Sequence, residues 1–137
     1  MDLTLLTMFI TVHDADLALA FYQDTLGLTL TNDVSAGDFR WLTLSPARQP
    51  DVQIVLTHPH AGRSQEDGDA MEELMTKGSL PPVFFRTADI DADFEKVRAS
   101  GVEVLQEPMD QGWGARDCAF RDPSGNTVRL SQQVARA

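Results

Sequence analysis

Cysteine is almost missing from this chain: Cys118 stands alone, which excludes an intramolecular disulfide framework and leaves packing and hydrogen bonds to hold the fold. Basic residues are scarce as well. Eleven lysines and arginines stand against twenty-one aspartates and glutamates, a formal charge of -10, so a nucleic-acid partner, which needs a concentrated basic surface, is not expected. No apolar run approaches the roughly 20 residues of a membrane-spanning helix, and no membrane partner is expected. The opening MDLTLLTMFITV carries an acid where a secretory leader carries basic residues and is broken by threonines, so it does not read as a signal peptide. These absences predict a reducing, cytoplasmic address. With 137 residues, 42% of them hydrophobic, the chain can bury one good core and is short for two, so a single domain over 1–137 is expected.

Residues 3–12 alternate well enough for a strand, and Asp14 is a suitable helix cap. After it Ala15, Leu19, Tyr22 and Leu26 recur at helical spacing until Gly27 supplies a stop. Leu28 and Leu30 begin another strand, residues 32–38 read as a turn, and residues 39–45 and 52–57 read as two further strands around a loop. The order is βαβββ. Residues 58–79 turn acidic and small and read as a connector, in which Met71, Leu74 and Met75 suggest only a short helix. The pattern then repeats. A strand over 83–87, the cap Asp89, then Ile90, Phe94 and Val97 at helical spacing, and Gly101 follow the first half at an offset of 74 or 75 residues. The fold class predicted is α+β, with repeats over about 1–57 and 80–133 whose helices lie outside and whose strands curve around a shared cavity.

The second repeat ends in QGWGARDCAFRDPSGNTVRLSQ. Pro123 presets a turn and Gly125 permits positive φ, so two strands should meet there as a hairpin. Val128 and Leu130 then share one face, and Thr127, Arg129 and Ser131 share the other, looking into the cavity.

The segments DADLALAFYQDTLGL, ADIDADFEKVRASGV and WGARDCAFRDPSGNTVRL resemble the two repeats of the vicinal oxygen chelate superfamily of glyoxalases, extradiol dioxygenases and bleomycin-resistance proteins. The resemblance covers nearly the whole chain. It implies paired βαβββ repeats, frequent homodimers and, in the metal-dependent members, four inward ligands for a divalent ion. Carried over by position, those ligands fall on Thr7, Val55, Pro82 and Arg129. A hydroxyl, an aliphatic side chain, a proline ring and a cation offer no deprotonated donor set. No cofactor is expected, and these positions argue against a divalent metal there.

Arg129 instead puts a fixed positive charge in the cavity, and Arg86 is expected to share that face with Phe84. The function expected is metal-independent binding of a small organic molecule that is anionic or carbonyl-bearing, as in sequestration-type resistance. Phe39, Trp41, Phe84 and Trp113 would wall it, with Thr7 nearby. Alternatives stay open. Arg129 can pair internally with Glu103 or Asp117. The chain can be a lyase, isomerase or dioxygenase with a non-standard metal site, or an interaction module with a vestigial cavity. Trp113, between two glycines, reads equally as a lid or a plug. His13 reads as an exposed histidine beside the Asp14 cap, and His58 and His60 as part of a solvated loop offering two metal ligands without a third. Cys118 reads as a buried small residue.

Overall fold

The structure, a computed structural model, describes residues 1–134 and divides into two compact units, Met1–Met75 and the chain from Thr76 onward. In the first unit strand β1 (Thr7–Thr11) leads into helix α1 (Ala15–Leu19), which continues as a π-helical stretch over Ala20–Thr25. Strands β2 (Thr29–Ala36), β3 (Phe39–Ser45) and β4 (Gln53–Thr57) follow, and helix α2 spans Gln65–Thr76. The second unit has β5 (Val83–Arg86), α3 (Ile90–Ala99), β6 (Val104–Asp110), β7 (Ala115–Arg121) and β8 (Thr127–Gln133). Each unit holds one four-stranded mixed sheet, ordered β1-β4-β3-β2 and β5-β8-β7-β6. The two orders are the same. Among the described residues no helix is long and apolar enough to cross a membrane.

The duplicated signals act alike in both units. Asp14 accepts the Leu17 N–H at 2.9 Å and Asp89 accepts the Ala92 N–H at 3.2 Å, each satisfying a donor that the first helical turn leaves without a partner. Gly27 and Gly101 then take positive φ, 78° and 90°, where a side chain would be strained, and the helices end. Cross-strand register sorts each sheet into two faces. One carries Ile10, Leu56 and Leu42 beside Ile54 and Leu44, and in the second sheet Phe85, Leu130 and Cys118 beside Val128 and Phe120. All but Phe85 are buried, together with Phe21 and Tyr22 of the first helical segment and Ile90, Phe94 and Val97 of α3. These are the cores. Phe94 stacks on Phe120 at 5.4 Å, while Phe21 meets Tyr22 edge to face at 4.9 Å.

Three local expectations need correction. The first helix is not α-helical throughout: the Leu26 N–H donates to Phe21 O, five residues back. That wider turn lets the consecutive aromatics Phe21 and Tyr22 both be buried. Strand β2 runs on to Ala36, pairing with β3 through Ala36↔Phe39, so the turn shrinks to Gly37 and Asp38. Residues 32–36, with only Val34 and Ala36 apolar, lie exposed on an edge strand, which needs no buried apolar face to form. Strand β6 is likewise an edge that reaches Asp110 despite Pro108, because an edge strand can forgo one N–H bond. The acidic stretch forms a 12-residue helix, α2, rather than a mere connector. Ser64 Oγ accepts the Asp67 N–H at 3.1 Å, Glu66 and Asp67 sit in the first turn where the helix dipole favours them, and Met75 is fully buried.

One arrangement recurs that periodicity does not signal. In the first unit Arg40 on β3 bridges Asp16 on α1 and Asp33 on β2, each at 2.8 Å. In the second, Arg116 on β7 bridges Asp91 on α3 at 2.8 Å and Asp110 on β6 at 3.4 Å. Each arginine ties a helix start to an edge strand.

Candidate functional site

The face of the second sheet opposite its apolar core holds two cross-strand rows. Phe84, Arg129, Ala119 and Gln106 form the first, and Arg86, Ser131, Asp117 and Met109 the second. Alternation along β5 and β8 puts Phe84 and both arginines on this face, since Val83, Phe85, Val128 and Leu130 take the other. Arg129 is half-buried and donates from Nη1 to Gln106 Oε1 at 3.1 Å. Gln106 Nε2 donates in turn to Asp117 Oδ1 at 2.7 Å, and Gln111 Nε2 donates to the same oxygen at 2.9 Å. The buried Asp117 carboxylate is thereby satisfied by two amides. Direct pairing of Arg129 with Glu103 or Asp117 is absent among the described residues, because Gln106 stands between the cation and Asp117. One of the five guanidinium donors of Arg129 is engaged there, and Arg86 is exposed with no hydrogen bond or ion pair among the described residues. Phe84, opposite Arg129 on the neighbouring strand and two residues before Arg86 on β5, is 61% exposed.

The corresponding face of the first sheet is built from neutral residues. Its matching row is Phe9, Val55, Thr43 and Asn32, with Val55 where the second sheet has Arg129. Thr7 lies opposite Gln53 and donates to Gln53 Oε1 at 3.0 Å; Trp41, on the same face of β3 as Thr43, lies opposite Val34. In the second unit Pro82 precedes β5. The four positions that the resemblance assigns to metal ligands therefore hold a hydroxyl bonded to an amide, an isopropyl group, a proline and an arginine. That set does not fit a divalent ion.

The aromatic residues expected to wall the site come from both units, Phe39 and Trp41 from the first and Phe84 and Trp113 from the second. Phe39 starts β3 and stacks on His58 at 5.0 Å. Trp113, 65% exposed, lies in the turn between β6 and β7. That turn begins beyond Ala115, which pairs with Gln133, four residues along β8 from Arg129 and so about 13 Å at the usual strand rise. Cys118 is fully buried, and that burial pushes its thiol up to about 11, which keeps it protonated and poorly nucleophilic at neutral pH.

His58 and His60 depart from the solvated loop expected of them. The His60 side chain is only 16% exposed and its Nε2 lies 2.8 Å from Asp69 Oδ1. His58 Nδ1 accepts the His60 backbone N–H at 3.1 Å, and burial, with the neighbouring His60 second, holds the His58 imidazole below its ordinary value. His13 is exposed as expected, and its Nδ1 lies 2.8 Å from Glu72 Oε1. The sequence offered an H-x-H pair but no sign that α2 would supply carboxylates beside it. That convergence is tertiary.

The sequence profile of the Glyoxalase/Bleomycin resistance protein/Dioxygenase superfamily matches residues 4–130. An uncharacterized protein of Bacillus subtilis, YurT, is 33% identical over 126 residues, covering 89% of this chain and 93% of its own. The crystal structure of UcmS2 superposes with a TM-score of 0.85 at 32% identity, covering 96% of this chain and 98% of that one. The crystal structure of TnmS3, an antibiotic binding protein from Streptomyces sp. CB03234, gives 0.75 at 30% identity, covering 96% and 97%.

Proposed function

The chain belongs to the glyoxalase/bleomycin resistance protein/dioxygenase superfamily, and from that premise we propose that it binds a small organic molecule without a metal and holds it unreacted, in the manner of sequestration. The observation that carries the reading is the pair of cations on one sheet face. Arg129 stands where the family's metal-dependent members need a carboxylate, opposite the exposed ring of Phe84, and Arg86 follows Phe84 by two residues on the same face. Such a face suits a flat ligand with an anionic or carbonyl group: guanidinium N–H groups donate to the oxygen while the ring covers apolar surface. Likeness to an antibiotic binding protein supports binding over turnover. The proposed ligand-binding residues also include Thr7, Trp41 and Phe39 of the first unit and Trp113 of the second. Leu3, Leu5 and Leu6, at 83%, 63% and 64% exposure, support a homodimer that covers them. A cytoplasmic location agrees with a single buried thiol.

The test uses 8-anilinonaphthalene-1-sulfonate, an aromatic anion whose fluorescence rises on binding, titrated in the presence of a chelator. Saturable one-to-one binding that weakens roughly tenfold to hundredfold in Arg129→Ala is expected, the worth of a hydrogen bond to a charged group. Binding that is equally tight in Arg129→Ala and Arg86→Ala, or that disappears when the chelator is added, overturns the reading.

A further inference from the structure

All three histidines of the chain lie at one place, at one end of the first sheet. Strands β1 and β4 are parallel neighbours, paired through Thr11↔Thr57, so the residues just beyond their ends emerge side by side. His13 follows one strand, and His58 and His60 follow the other. Helix α2 brings Asp69 and Glu72 to this point, three residues apart and therefore on one helical face. His60 Nε2 lies 2.8 Å from Asp69 Oδ1, and His60 Nδ1 lies 4.0 Å from Glu72 Oε2. One donor atom each from His60, Asp69 and Glu72 fall within 4.8 Å of one another.

The surroundings fix these three side chains from behind. Glu72 Oε1 is held by His13 Nδ1 at 2.8 Å, and Asp69 Oδ1 accepts from Gln65 Nε2 at 3.0 Å. Pro59, fully buried, anchors the segment, and its carbonyl accepts from Arg63 Nη1 at 3.0 Å. His58 stacks on Phe39 and meets His60 at a tilt, with ring centroids at 5.0 and 5.3 Å. A separate observation comes from Gly68. It lies inside α2, where glycine is a poor helix former, and a Cβ added there would stand 2.2 Å from His60 Cδ2. Only hydrogen at that position lets the helix pass so close to the imidazole. The helix is shaped around His60.

We propose that His60, Asp69 and Glu72 bind a divalent transition-metal ion of the zinc or nickel class, with His13 as a positioning residue that orients Glu72. One imidazole nitrogen and two carboxylates form a donor set that such ions accept. Calcium and magnesium, which take oxygen ligands, are disfavoured by the imidazole. Tetrahedral coordination with bonds of about 2.0–2.1 Å needs donor atoms about 3.4 Å apart. Small side-chain rotations close that difference. The Asp69 and Glu72 side chains are 62% and 32% exposed, which gives the ion a path in and leaves coordination positions to water or a further ligand. This site shares no residue with the arginine face and does not depend on it.

The experiment is calorimetric titration of the chelator-treated, dialysed full chain with zinc alone and with nickel alone, alongside cobalt substitution followed by visible absorption. Expected are one ion per chain with micromolar Kd and cobalt bands that zinc displaces. Asp69→Asn and His60→Gln should weaken binding a hundredfold or more, His13→Ala about tenfold as for other orienting groups, and Glu95→Gln not at all. Asp69 is an exposed side chain, so its variant tests the site even if His60→Gln fails to fold. Absence of stoichiometric binding, binding retained in Asp69→Asn, or magnesium bound as tightly as zinc would overturn the proposal.

Discussion

The two units repeat one backbone and diverge in chemistry, and comparing them position by position separates what topology dictates from what side chains decide. Strand order, helix caps, helix-ending glycines and the arginine bridging two aspartates are common to both. The rows Phe9–Val55–Thr43–Asn32 and Phe84–Arg129–Ala119–Gln106 occupy the same place on their sheets. Yet one is neutral and the other carries a cation. At the strand ends the bias reverses: the first unit gathers three imidazoles and two carboxylates around α2, and the second unit holds no histidine at all. A duplicated scaffold thus presents each sheet position twice, and the two copies differ at three of the four positions of that row, Phe9 and Phe84 being alike.

The cores give the comparison its most sensitive test. Phe120 and Leu44 are counterparts, each fully buried and each in the row that pairs with the strand leaving the repeat, Val128 in one case and Ile54 in the other. Phe120→Ala should lose about 3–5 kcal/mol and Leu44→Ala about 2–5 kcal/mol, the larger loss falling on the ring that stacks with Phe94. Urea unfolding of the two variants checks this. A larger loss for Leu44→Ala would mean that the second core relaxes into the vacated space, and the equivalence of the two cores would fail.

How far these features were legible in the sequence follows the same division. Periodicity and turn chemistry marked eight strands, two of the three helices and the duplication, because caps, stops and alternation are local. Residues 32–36 escaped because an edge strand exposed on both faces needs no strong apolar stripe, and Asn32, Asp33, Ser35 and Gly37 read as turn chemistry. The length of α2 escaped because five acids and one glycine mask its apolar face. The arginine face was legible through alternation on β5 and β8. Gln106 was not, since a neutral amide between Arg129 and Asp117 carries no pattern of its own. The His60 cluster was half legible: the H-x-H pair is a sequence feature, but its carboxylates arrive from another element.

Gly68 yields a prediction whose sign distinguishes packing from propensity. Glycine to alanine inside an ordinary helix stabilises by about 1 kcal/mol. Here the added methyl meets His60, whose ring is held by Asp69 and backed by His58, so overpacking should outweigh propensity. Gly68→Ala is expected to destabilise by a net 1–2 kcal/mol or so. Thermal or urea unfolding reads the sign, and a stabilised variant would mean that His60 is not held where α2 needs glycine.

The smallest effect should come from the arginine bridges, and their interest lies in being alike. Arg40 and Arg116 each join the first turn of a helix to an edge strand, and the carboxylates that hydrogen-bond them raise both guanidinium pKa values further. All four aspartates are substantially exposed, so solvent and salt screen the pairs. Arg40→Gln and Arg116→Gln should each lower the melting midpoint by no more than a few degrees at low salt, equally, and by almost nothing in 1 M salt. Acid adds a second check. Hydrogen bonding to Arg40 holds the Asp33 carboxyl below its ordinary value, so this contribution is complete above about pH 4 and is lost as pH falls further, when Asp33 takes up its proton. If one arginine matters and the other does not, the bridge is a remnant in one unit and a structural tie in the other, and the two repeats have diverged in their frames as well as in their faces.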